Sequence, residues 1–184
     1  TLFRSTRVEH VLKTLDGRID AVFDDGPCTV GIESTVVRID NDVVEILRPG
    51  MILQAELEAC LNEPVKSFTG VAESPLCPGQ SYLHYSPNVC VVKLYSNENI
   101  DERWFCNDVI IAQKSVFLEK EKTLGRRSNE SFSIILSDDA YLFAQELYSA
   151  LYQAESYPKK QLSIVKPQGF EAAAVLDRIS RAVR

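Results

Sequence analysis

Glu33-Ser34-Thr35-Val36-Val37-Arg38-Ile39, then Asp40-Asn41-Asp42, then Val43-Val44-Glu45-Ile46-Leu47, then Arg48-Pro49-Gly50: this stretch reads as strand, turn, strand and stop. β-Branched side chains dominate both arms, as on a pleated, half-buried surface. The polar triplet turns the chain, and the proline and glycine close the hairpin. Upstream, Asp24-Asp25-Gly26-Pro27 predicts a turn, and residues 19–23 predict a short strand. Before them, Thr6-Arg7-Val8-Glu9 fits a capping box, a hydroxyl followed three residues later by a carboxylate. Val8, Val11, Leu12 and Leu15 then recur at helical spacing, and Asp16-Gly17 ends that helix. Downstream, residues 53–61 predict a helix with Leu53, Leu57 and Leu61 on one face.

The texture changes between residues 67 and 87. Pro75, Pro78, Pro87, Gly70 and Gly79 interrupt a segment with few aliphatic residues and no period, which reads as a linker. A second pattern follows. Strands are expected at 89–95, 109–113, 132–136 and 162–165. A short helix is expected at 99–106 and a charged loop or partial helix at 114–129. A long helix capped by Ser137 runs to about residue 155, with Phe143, Leu147 and Leu151 four apart, and a closing helix spans 169–183. Strands alternating with helices predict a small open α/β sheet of largely parallel strands. The expected organisation is therefore 1–66, a linker at 67–88, and a small α/β domain at 89–184. No Gly-x-Gly-x-x-Gly loop opens it, which argues against a dinucleotide site.

Apolar residues make up 45% of the 184, enough for a core, and charged residues 25%. Net charge is −6, without the basic excess that phosphate neutralisation gives a dedicated nucleic-acid binder. The cysteines are Cys28, Cys60, Cys77, Cys90 and Cys106, with no C-x-x-C pair, and the only histidines are His10 and His84. No metal site is expected from that set, and reduced thiols in a cytoplasmic protein are. No apolar run approaches a membrane span, so no membrane partner is expected. The chain starts at Thr1 and its one methionine is Met51, which is the look of a fragment or a processed product.

Two segments carry chemistry. In Gly26-Pro27-Cys28-Thr29-Val30-Gly31-Ile32-Glu33-Ser34-Thr35-Val36-Val37 the glycines let backbone approach a ligand. Ser34 and Thr35 point to opposite faces of a strand, so at most one hydroxyl faces a pocket. A hydroxyl donates to carboxylate or phosphate oxygen, and the Arg48 fork at the strand end matches phosphate bidentately. Read blandly, the same residues are a hairpin with solvated polar side chains. The second segment is Ser74-Pro75-Leu76-Cys77-Pro78-Gly79-Gln80-Ser81-Tyr82-Leu83-His84-Tyr85-Ser86-Pro87. Aromatic rings in a proline-rich linker point to docking, either on a neighbouring domain or over a base or phosphate. A packed staple between two domains is the alternative.

Leu15-Asp16-Gly17-Arg18-Ile19-Asp20, the Gly-Pro-Cys segment and Ile46-Leu47-Arg48-Pro49-Gly50 together resemble the end of a YrdC-like domain. Pro78-Gly79-Gln80-Ser81-Tyr82-Leu83-His84-Tyr85-Ser86-Pro87 resembles the linker of the two-domain threonylcarbamoyl-AMP synthases, and the pattern after residue 89, with Asp177-Arg178-Ile179, is similar to their C-terminal domain. The resemblance implies a twisted α/β domain tail, a proline-rich linker and a small Rossmann-like α/β domain. It implies a nucleotidyltransferase that condenses ATP, threonine and bicarbonate into threonylcarbamoyl-AMP and pyrophosphate, with magnesium accompanying ATP. The product serves threonylcarbamoyladenosine modification of tRNA, reached only through a downstream transferase. By the same resemblance Ser34 touches threonine and Arg48 touches ATP. Tyr82, His84 and Tyr85 belong to a linker folding over the nucleotide, and which of the three makes contact stays open. The family's lysine-and-arginine ATP motif and Ser-x-Asn segment do not occur here, so this fragment alone is expected to be inactive. The linker reads Gly79-Gln80-Ser81-Tyr82 where the family has Gly-Met-Lys-Tyr, which removes a cation. Two rival readings are a translation-associated module binding double-stranded RNA, and a regulatory domain without chemistry.

Overall fold

The computed structural model describes residues 5–67, 75–78, 87, 91–100, 109–125, 132–158, 161–168 and 173–183. Helix α1 spans Val8–Leu15, β1 Val36–Asp40, β2 Val43–Arg48, α2 Gln54–Leu61 and β3 Val65–Ser67. Then come β4 Val91–Tyr95, a 3-10 turn Asn97–Asn99, β5 Val109–Gln113, α3 Lys114–Leu124, β6 Ser133–Leu136, α4 Ala140–Ala154, β7 Gln161–Val165 and α5 Ala173–Ala182.

The first sheet has the order β1-β2-β3. β1 and β2 are the expected antiparallel hairpin, and Asn41 and Asp42 both take positive φ, 47° and 62°. Two consecutive left-handed residues make the tight hairpin turn whose twist matches the strands. Val36 pairs with Arg48 and Val37 with Ile46, so Leu47 is an extra residue and the hairpin carries a bulge at its open end. Such a bulge re-aims the side chains beside it. β3 runs parallel to β2 and was not expected from the sequence.

The second sheet has four parallel strands in the order β4-β7-β5-β6, the open parallel α/β architecture that the alternating pattern implies. Every residue of β5 is buried, because helices cover both faces. Val109 and Ile111 join the larger core with Phe143, Leu147 and Leu151 of α4, and Ile110 and Ala112 meet Val116 and Phe117 of α3. The four-residue spacing on α4 makes a buried stripe, each member contributing about 1.5–3 kcal/mol of transfer energy.

Several local expectations are corrected. Residues 19–23 form no strand; no ladder partner reaches them, and Phe23 is 97% exposed. α1 has no side-chain cap: Arg7 holds the cap position, and Thr6, one residue earlier, hydrogen-bonds His10 Nδ1. The cap of α4 is Asp139, whose Oδ1 accepts from the Tyr141 and Leu142 amides; Ser137 accepts from the Asp139 amide one step earlier. β1 begins at Val36, leaving Ser34 and Thr35 in the segment leading into it. The charged stretch after residue 114 is a regular helix as far as Leu124. Residues 101–108 and 169–172, where parts of two expected helices fall, lie outside the described residues.

The two sheets are joined through the segment before β1. Ile32 is part of the larger core of the second sheet. Gly31 has φ +77°, and a Cβ there would run into Gln145 Cα and the Ala144 and Gln145 carbonyls of α4. Only glycine lets this segment approach so closely. α1 lies along the same helix: the His10 ring stacks on Tyr152 at 4.1 Å, and Lys13 pairs with Glu155 at 3.0 Å.

Candidate functional site

The bulged end of the hairpin brings Ser34 and Arg48 together. Arg48 closes β2 and is buried at 5% exposure. Its Nε and Nη2 donate to the Ser34 carbonyl at 3.2 and 3.0 Å, and Nη2 lies 3.4 Å from Ser34 Oγ. Nη1 donates to the Pro78 carbonyl at 2.8 Å. The guanidinium therefore ties Ser34 to the middle of the linker. The Thr35 hydroxyl faces elsewhere, donating to the Ile52 carbonyl at 2.8 Å, which leaves the exposed Ser34 as the outward hydroxyl. Gly50 is pressed against Ser34 and Thr35 so closely that a Cβ would overlap the Thr35 amide.

Behind Ser34 is a second set of polar groups that sequence reasoning missed. Glu33 Oε2 accepts from Arg178 Nε at 2.7 Å and from the Tyr148 hydroxyl at 3.0 Å. Arg178 also donates through Nη2 to the Pro49 carbonyl at 3.1 Å, and through Nη1 to Asp177. Asp177 is shared with Arg181 one turn on. Arg178 is 1% exposed. Burial pulls its guanidinium toward losing its proton. The hydrogen bond and charge of Glu33, with Tyr148 and Asp177, outweigh burial, and its pKa moves up. A buried cation is tolerated when its donors and its charge are met, and removing one partner is strongly destabilising. The sequence offers little signal for this set: Glu33 stands between Ile32 and Ser34, and its partner is 145 residues away.

Tyr82, His84 and Tyr85 lie outside the described residues. Of the linker, Cys77 is buried and Pro78 supplies the carbonyl to Arg48. Among the described residues no group of three His, Cys, Asp or Glu side chains could hold a metal ion. No described helix is long and apolar enough to cross a membrane.

Residues 52–183 match the family model described as "Threonylcarbamoyl-AMP synthase, C-terminal domain", and residues 4–50 match one described as "Telomere recombination". The Bacillus subtilis threonylcarbamoyl-AMP synthase is 41% identical over 85 residues, 45% of this chain and 24% of that protein. The Pyrococcus abyssi threonylcarbamoyl-AMP synthase is 25% identical over 189 residues, 96% of this chain and 53% of that protein. The crystal structure of P. abyssi Sua5 complexed with L-threonine superposes with a TM-score of 0.75 at 21% identity, again over 96% of this chain and 53% of that one. The chain therefore spans no more than about half the length of the relatives it matches, and at that identity the superposition is a likeness of fold. The C-terminal-domain match runs from α2 to the last residue but one, and on it the chain belongs to the threonylcarbamoyl-AMP synthase family.

Proposed function

We propose that this chain is the carboxyl-terminal part of an L-threonylcarbamoyladenylate synthase, a nucleotidyltransferase that joins threonine, bicarbonate and ATP into threonylcarbamoyl-AMP and releases pyrophosphate. The observation that carries the proposal is the meeting of Ser34 and Arg48, a hydroxyl and a guanidinium 3.4 Å apart at the open end of the hairpin. Support comes from the family match and from a relative that was crystallised with L-threonine. In this reading the Ser34 hydroxyl donates a hydrogen bond to threonine, and Arg48 faces the ATP phosphates. Arg48 reaches a phosphate by exchanging the Pro78 carbonyl for phosphate oxygen, so nucleotide binding is coupled to the middle of the linker. Tyr82, His84 and Tyr85 follow closely after Pro78, and we assign them to a lid over the nucleotide that excludes water from the labile carbamate.

The proposed division is 1–66 for the end of the catalytic domain, 67–88 for the linker and 89–184 for the small domain. The protein acts in the cytoplasm, and tRNA meets its product through a separate transferase. In this reading the magnesium ion arrives with ATP, held by its phosphates.

The test is pyrophosphate release by the purified protein that contains this chain. Release that requires ATP, threonine and bicarbonate together is the expected result. Threonine-independent release, or none, contradicts the proposal. The 184 residues alone are expected to release none, because the family's ATP motif does not occur among them.

A further inference from the structure

We propose that Arg178, on α5 at the far end of the chain, is a positioning residue that fixes Ser34 and Arg48 against each other and so sets the affinity for threonine. The inference rests on the reading of Ser34 as the threonine contact. Arg178 grips the residues that flank the pair: Glu33, immediately before Ser34, and the carbonyl of Pro49, immediately after Arg48. The two anchor points lie 145 and 129 residues away in sequence, so the small α/β part reaches back into the hairpin from outside it. The grip is built rather than incidental. Arg178 is 1% exposed, and Asp177 orients its Nη1 while Tyr148 supplies a second donor to the same Glu33 oxygen. A guanidinium can hold a carboxylate and a carbonyl in fixed directions at once; an ammonium holds a charge without those directions. On this account the C-terminal part contributes to the site without touching substrate.

Two variants of the full protein test it. Arg178→Lys keeps the cation beside Glu33 and loses the fork. Tyr148→Phe keeps the shape and loses one donor. The expected result is a threonine KM raised about tenfold or more in Arg178→Lys and several-fold in Tyr148→Phe; in Tyr148→Phe, which touches only the Glu33 side, the ATP KM stays within about twofold of wild type. A role in folding alone lowers the melting temperature and leaves the KM ratio unchanged. If both variants fold and the threonine KM stays within about twofold, the inference is overturned, however far the melting temperature falls. If Arg178→Lys does not fold, Tyr148→Phe decides by the same criterion. If the wild-type protein itself shows no threonine-dependent release, the proposed function has failed, and positioning is judged by amide exchange at residues 31–36 without substrate. Faster exchange there in the variants keeps the positioning claim, and unchanged exchange removes it.

Discussion

Replacing Gly31 by alanine probes the contact that holds the site segment to the second sheet. The perturbation has two parts. A residue with a Cβ at φ +77° is strained by about 1–2 kcal/mol. The Cβ also meets the Gln145 and Ala144 carbonyl oxygens at 2.8 and 2.9 Å, and these are backbone atoms of α4 that cannot rotate away. The segment must back off, and Ile32, 9% exposed, then loses part of a burial worth about 1.5–3 kcal/mol. With the whole of that burial lost the total reaches about 2.5–5 kcal/mol, or a fall in melting temperature of roughly 5–20 °C at the usual 2–4 °C per kcal/mol. Gly26→Ala is the control: its φ is +86° with nothing within 4 Å of the added atom, so it carries the strain alone. Melting curves of the two variants, in the protein containing this chain, separate strain from steric contact. Equal losses for the two would refute the close approach of residues 31–33 to α4.

Arg48→Ala should weaken ATP binding by roughly ten- to a hundredfold, the worth of a charge-assisted bond, with lysine restoring only part; titration calorimetry with unchanged affinity and an intact fold would rule out the ATP role. Burial lowers the pKa of His10 from its ordinary 6.5, with the charge of Glu9 opposing and those of Arg7 and Lys13 assisting. The neutral ring is the favoured form in the fold, so its contribution is present above pH 6.5 and is lost as pH falls through the lower folded value; His10→Phe should flatten that part of the stability profile, and an unchanged slope would exclude His10 as its source. Amide exchange of residues 74–87 should slow when ATP and threonine are added together to the full protein, and equal protection with and without ligands would leave the linker as a staple only.

How much could be read in advance follows from how local each signal was. The hairpin was legible because its arms, turn and stop are contiguous, and the turn residues Asn41 and Asp42 tolerate the left-handed backbone they adopt. The parallel sheet was legible because α4 carries its buried stripe at a fixed spacing and β5 is apolar throughout. Residues 19–23 misled because β-branched composition does not supply a ladder partner. β3 was missed because it has three residues and ends where the linker composition starts. Ser34 and Arg48 were singled out separately, and the bulge that joins them was invisible without the register. The Glu33–Arg178 pair could not be found by spacing at all, since its partners meet only through tertiary packing.

The central claim, that Ser34 is the threonine contact, is tested most directly by the Michaelis constants of Ser34→Ala in the full protein. One hydroxyl bond contributes about 0.5–1.5 kcal/mol, so the threonine KM should rise several-fold while the ATP KM stays where it is. An equal rise in both, or no rise in the threonine value, would contradict the account.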